Sequence, residues 1–235
     1  MLEELKRKVF KANIDLRKQD LVIHTWGNAS GIDRKKGLVV IKPSGVSYDV
    51  MEPDDMVVVD LATGKVIEGS LNPSSFTPTH LALYRAFPKI GGVVHTHSTY
   101  ATAFAQAGVD IPNIGTTHSD YFSTCIPCTR DMTDDEINGD YELETGRVIV
   151  DEIVNSRGID PDFNPGILVK SHGPFAWGTS PENAVYNAMI MEQCAKIAYI
   201  SFNLNPNLSM NPLLAAKRYE RKHGPHAYYG QQKKY

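Results

Sequence analysis

The chain has 235 residues, 42% of them hydrophobic, and a formal net charge of -3. That length suits one large domain or two small ones, with enough apolar content for a sizeable core. Mixed-sign charge excludes the strongly basic profile of a nucleic-acid binder, and no apolar run approaches the length of a membrane span.

The N-terminal stretch MLEELKRKVFKANIDL is amphipathic and charged, unlike a signal peptide. Leu2, Leu5, Val9, Ala12 and Leu16 fall at helical spacing and predict a helix over 2–16. Strands are expected over 38–42 (LVVIK) and 56–60 (MVVVD), with TGK at 63–65 as a hairpin turn into VIEG. Thr77 and Pro78 read as the N-cap and first residue of a helix ending near Phe87, ahead of Pro88. GGVVHTHS, 91–98, reads as a strand. Thr133 and Glu136 form a capping-box pattern, predicting a helix to about Arg157 with a break near Gly139. GILVKSHG, 166–173, reads as a further strand. Ser180 and Pro181 open the longest helix, to about Phe202; Asn211 and Pro212 open the last, closed by Gly224.

No repeat or linker divides this pattern, so residues 1–235 read as a single α/β domain. The strands lack regular βαβ alternation, which predicts a mixed or mostly antiparallel sheet covered by helices. Three cysteines, an odd count, argue against a disulfide framework and fit a reducing, cytoplasmic setting. Cys125 and Cys128 make a C-x-x-C, but Pro127 and Thr129 follow no helical pattern, so ordinary small buried residues are expected there. The basic residues of the last helix and tail, Lys217 to Lys234, read as a solvated face.

Two histidines end the apolar run VVHTHS. On a strand, positions i and i+2 share a face, so His95 and His97 would point together. His172, in SHGPFAW, would lie at another strand end. Three histidines so placed suit a catalytic Zn²⁺ site with one position open for substrate. The competing reading is three separately satisfied polar residues near the core, and spacing alone leaves both open. Three turns, GNASG (27–31), KPSG (42–45) and NPSS (72–75), offer backbone N–H groups, small polar side chains and the Lys42 charge to an anion. Taken singly, each is an ordinary turn.

The blocks WGNASG, IKPSGVSYDVM, NPSSFTPTH, IGGVVHTHS, GTTHSDYF, MTDDEINGDYE, SHGPFAWG and RKHGPHAYYG follow one another along essentially the whole chain. Together they resemble the class II aldolase family, which includes fuculose- and rhamnulose-phosphate aldolases. GTTHSDYF and the AYYG ending resemble its L-ribulose-5-phosphate 4-epimerase branch. The resemblance implies α/β/α layers around a central, mainly antiparallel sheet, and a homotetramer with active sites between subunits. It implies Zn²⁺, with Mn²⁺ or Co²⁺ as alternatives, on His95, His97 and His172. It also implies a sugar-phosphate substrate held by Asn28, Lys42, Ser44, Gly45, Ser74 and Ser75. The acid/base pair would be Asp120 and Tyr229, with Tyr229 reaching in from the adjacent subunit. No nucleic acid and no membrane are implied as partners.

The implied reaction interconverts L-ribulose 5-phosphate and D-xylulose 5-phosphate. The C4 hydrogen of a 2-ketose is not acidic, so inversion proceeds by breaking the C3–C4 bond, turning the aldehyde and remaking the bond. That scheme needs a cation for the enediolate, two proton-transfer groups on opposite faces, and a phosphate anchor. An aldolase shares the cation and the anchor but releases the aldehyde. A non-catalytic scaffold, as in the adducin head, would need none of these parts.

The chain departs from the resemblance at two positions. The epimerases read S-S-D-T-P-T-H and the aldolases carry a glutamate at that place, whereas here Phe76 follows Ser75. Phenylalanine can neither coordinate a metal nor accept a proton, so weakened epimerisation or altered substrate preference is expected. Arg218 stands near a position where the epimerases carry histidine.

Overall fold

The computed structural model describes residues 2–225, 227 and 228. Helix α1 (Glu3–Lys18) carries Glu3 and Glu4 in its first turn and Arg17 and Lys18 in its last, complementing the helix dipole. It buries Val9, Ala12 and Leu16. Strand β1 (Asn28–Asp33) corrects the reading of GNASG as a turn. At Gly31 two helices close upon it and leave no room for a side chain. A Cβ at Gly31 would lie 2.7 Å from Pro181 and 3.0 Å from Leu5 and Val9. Buried Asn13 of α1 mimics a strand partner. Its Oδ1 accepts from Ala29 N–H at 2.8 Å and its Nδ2 donates to Ala29 C=O at 3.0 Å.

Strands β2 (Leu38–Ile41), β3 (Val57–Asp60) and β4 (Val66–Glu68) follow as expected, with Gly64 at φ +71° in the β3–β4 turn. Helix α2 (Thr77–Ala86) is capped by Phe76 rather than Thr77, and the phenyl ring offers no capping oxygen. Strand β5 (Gly92–His95) stops at His95, so His97 lies beyond the sheet. Helix α3 (Thr99–Ala107), invisible to the sequence reading, starts at once. Its first N–H groups are satisfied from far along the chain, by the Glu192 carboxylate at 2.8 Å from both Tyr100 N and Ala101 N. Short helix α4 (Thr116–Ser119) precedes α5 (Asp134–Asn138), which has the expected capping box. The chain breaks at Gly139, forms α6 (Tyr141–Val150) and continues as a wider turn, Asp151–Ser156.

GILVKSHG is not one strand. It comprises β6 (Gly166–Val169) and the turn into β7 (Gly173–Gly178). Helix α7 (Pro181–Leu204) is capped by Ser180, and α8 (Pro212–His223) by Asn211.

The strands form a seven-stranded sheet in the order β4-β3-β2-β1-β5-β7-β6. All the pairings between these strands are antiparallel. Strand alternation divides the core between the two faces. Val40, Val58, Val94, Leu168 and Ala176 pack in one layer with residues of α1, α3 and α7. Val39, Val57, Val59, Val93, Ile167 and Trp177 pack in the other with residues of α2 and α6. The result is the expected α/β/α arrangement.

Candidate active site

Register brings three elements to one place. His95, last in β5, pairs with Asn28 of β1 on one side and Phe175 of β7 on the other. His97 lies two residues further on, between the sheet and α3. His172 is presented by the β6–β7 turn, where Ser171 adopts φ +61° and its N–H bonds Ala105 C=O at 3.0 Å. The three histidines therefore converge, although His97 reaches the cluster from a loop and not from a shared strand face. Their ring centroids lie 4.8 to 5.1 Å apart, and one ligand atom from each falls within 4.8 Å of the others.

The donor set fits a divalent cation. The Pro174 carbonyl can only accept, so its 3.0 Å contact fixes a proton on His95 Nδ1. That leaves His95 Nε2 as a lone pair, and this buried atom has no hydrogen-bond partner. Such an orphan needs an explanation, and a cation supplies one. Burial first, then neighbouring His172 and His97, hold the His95 ring well below the usual histidine range. Burial and His97 push His172 down to about 4, and burial lowers His97. All three are thus neutral imidazoles near neutral pH, the form that ligates.

Phe76 closes one side. Its ring centroid lies 4.9 Å from both His95 and His172, while Phe175 stacks on His95 at 4.2 Å. Tyr141, which the sequence reading did not single out, places its hydroxyl 3.1 Å from His172 Nδ1. No spacing signal marks it, since it is simply the first residue of α6.

A cavity of about 290 Å³ joins His95 and His97 to the expected anion site; His172 is not part of its lining. His95, His97 and Phe76 line one part of it; Asn28, Lys42, Ser44, Gly45, Ser74 and Ser75 line the rest. Asn28 Nδ2 donates to Ser74 Oγ at 2.9 Å, while its buried Oδ1 has no partner. Gly45 sits at φ +69°, a conformation that favours glycine, though a side chain there would meet nothing within 4 Å. Two expectations need adjusting. Ser44 N–H and Ser74 N–H do not point outward; they bond Asn72 C=O and Lys42 C=O and tie the two turns together. Lys42 is buried beneath its own turn, donating to Val46 C=O at 2.7 Å and Pro43 C=O at 3.2 Å. Burial pushes its ammonium down to about 8.

Asp120 is not brought to this cavity. It caps α4, and its carboxylate accepts paired hydrogen bonds from Arg218 and Arg221 of α8. Burial alone would raise that carboxyl, but the two guanidiniums outweigh it and hold it below the usual range. Its neighbour Tyr121 lines a different cavity, of about 590 Å³, with Lys89, Gly178 and Thr179. Those last residues flank the ends of β5 and β7 remote from His95. Arg218, unassigned from sequence, thus has a clear contact. Tyr229 lies outside the described residues. Burial raises the Cys125 and Cys128 thiols to about 11, in keeping with ordinary residues.

Known proteins share this fold. The sequence profile of the class II aldolase and adducin N-terminal domain matches residues 7–199. An L-fuculose 1-phosphate aldolase structure is similar with a TM-score of 0.77 and 25% identity, covering 93% of this chain and 95% of that one. YgbL from Escherichia coli, a putative aldolase/epimerase/decarboxylase, gives a TM-score of 0.72 at 22% identity over 92% and 97%. A sugar-phosphate aldolase from Thermotoga maritima gives 0.68 at 19% over 87% and 97%. The two lower identities speak to fold alone.

Proposed function

Because the chain belongs to the class II aldolase and adducin N-terminal domain family, we propose that it is a divalent-metal-dependent enzyme that breaks and remakes the C3–C4 bond of a ketose phosphate. Within that chemistry we read it as an L-ribulose-5-phosphate 4-epimerase acting as a homotetramer. The observation that carries the reading is the sharing of one cavity by two different kinds of group. His97 and His95, the latter with an unpartnered buried nitrogen, line one part of it, and the Asn28, Ser44, Gly45, Ser74 and Ser75 cradle lines the other.

His95, His97 and His172 would hold the cation, which when bound supplies Lewis-acid stabilisation of charge on the ketose oxygens. The chain's own residues do the remaining work. Pro174 fixes the His95 ring, and Phe76 and Phe175 pack against the His95 imidazole and shield it from water. The cradle and the Lys42 charge retain the phosphate, so the aldehyde end can turn without leaving. Asp120 and Tyr229 are the acid/base pair that moves the proton of the C4 oxygen from one face to the other. Asp120 lies outside the histidine cavity of its own chain, so this reading needs a neighbouring subunit to complete the site.

A second reading is an aldolase that lets the aldehyde go. The closure of the Asp120 carboxylate by Arg218 and Arg221 favours it, because a carboxylate so neutralised is a poor base. Incubation of Zn²⁺-loaded protein with L-ribulose 5-phosphate, with an aldehyde reductase as trap, separates the two. D-xylulose 5-phosphate without trapped aldehyde is expected. Trapped glycolaldehyde phosphate would favour the aldolase, and neither product with no bound metal would favour a scaffold.

A further inference from the structure

We infer that Tyr141 is a positioning residue for the metal centre. Its hydroxyl selects the ring nitrogen by which His172 binds the cation, and it reverses its hydrogen bond when the cation arrives. The inference rests on the metal-centre reading above.

His95, which is buried, and His172, which is half-buried, have different partners. The Pro174 carbonyl facing His95 Nδ1 can only accept, so His95 always presents Nε2 to the cluster. The phenol facing His172 Nδ1 at 3.1 Å can donate or accept. Without a cation, the Tyr141 O–H can donate to a bare Nδ1, leaving the proton on Nε2, and that tautomer cannot ligate through Nε2. With a cation on Nε2, the proton must sit on Nδ1 and donate to the Tyr141 oxygen. One hydroxyl therefore satisfies His172 in both states, so His95 is preset and His172 is switched.

The fold holds this hydroxyl from two helices. Thr145 Oγ1 donates to the Tyr141 carbonyl at 2.8 Å, and the Thr79 hydroxyl of α2 donates to the Glu142 carbonyl. Gly146 lets α2 and α6 approach closely. The Tyr141 and His172 rings lie 17° from parallel, with centroids 6.3 Å apart. Such outer partners of a ligating histidine are worth about 10–100-fold in metal affinity.

The test is competition of the full chain against a chromophoric chelator for Zn²⁺ and Co²⁺, with Tyr141→Phe beside the unaltered protein. The variant should bind about 10–100-fold more weakly, with the metal-free unfolding midpoint unchanged and the Co²⁺ absorption spectrum altered. Equal affinities would overturn the inference. Should the variant fail to fold, long-range ¹H–¹⁵N NMR of His172 in the unaltered chain decides. A protonated Nδ1 with Zn²⁺ and a bare Nδ1 without it supports the reversal; the same state in both overturns it. Failure of the unaltered chain to bind either cation would instead overturn the metal-centre reading.

Discussion

At residue 76 a phenyl ring rests 4.9 Å from two imidazoles and stands at the N-cap of α2. Asp suits both places better. A capping carboxylate is worth about 1 kcal/mol over a residue without a side-chain oxygen, and an anion beside three neutral imidazoles favours a cation. Phe76→Asp should therefore bind Zn²⁺ more tightly and turn over L-ribulose 5-phosphate faster in side-by-side steady-state assays. Equal rates would contradict this. Lys42 gives a pH prediction. Burial holds it at about 8, below the ordinary value of about 10.4, so between those values the unfolded chain carries more protons. Its contribution to stability therefore rises with pH across that window. Phosphate binding runs the other way, because the cation is lost as pH climbs through about 8. The KM for a phosphorylated ketose should climb over that range, while Lys42→Met should show a higher KM without the step. Much of this chemistry was legible in the sequence, since histidine pairs, glycine and serine turns and a misplaced phenylalanine are visible as letters. Tyr141 was not, because its role depends on where α6 starts, and neither was the capture of Asp120 by two arginines some hundred residues away.

Helix α6 must press against α2 to deliver Tyr141, and Gly146 is what permits the approach. A Cβ there would lie 2.7 Å from Ala82 Cβ and 3.2 Å from Thr79 Cα. Alanine gains about 1 kcal/mol in helix propensity over glycine, but overpacking costs about 1–3 kcal/mol. We expect Gly146→Ala to lose stability on balance, measured by urea unfolding; a more stable variant would show that the helices separate easily. The elements that sequence reading found are mostly those with strong periodicity or caps: α1, α2, α5 with α6, α7, α8 and the apolar strands β2, β3, β4 and β5. The ones it missed have physical reasons. Strand β1 opens with Asn, Ala, Ser and Gly and so lacks a strand-like apolar run, and at Gly31 α1 and α7 leave no room for a side chain. Strand β7 begins and ends in glycine and contains Pro174. Helix α3 takes its cap from Glu192 on α7, which no local pattern announces.

The whole molecule places its sheet between two helical layers, as expected from the lack of βαβ alternation. No helix of the described residues is long and apolar enough to cross a membrane. Helix α7 is apolar around much of its circumference, leaving Tyr186, Ile197, Tyr199, Ile200 and Leu204 exposed. Such a surface suits burial against another copy, in line with the homotetramer in the proposed reading; sedimentation equilibrium should give four times the 26.0 kDa chain mass. In the proposed reading three imidazoles gather one catalytic cation above a phosphate cradle. Its most direct test is a titration of metal-depleted protein with Zn²⁺ while D-xylulose 5-phosphate formation from L-ribulose 5-phosphate is followed. Turnover should rise from zero and level off at about one Zn²⁺ per chain. Full turnover before any metal is added would contradict the account.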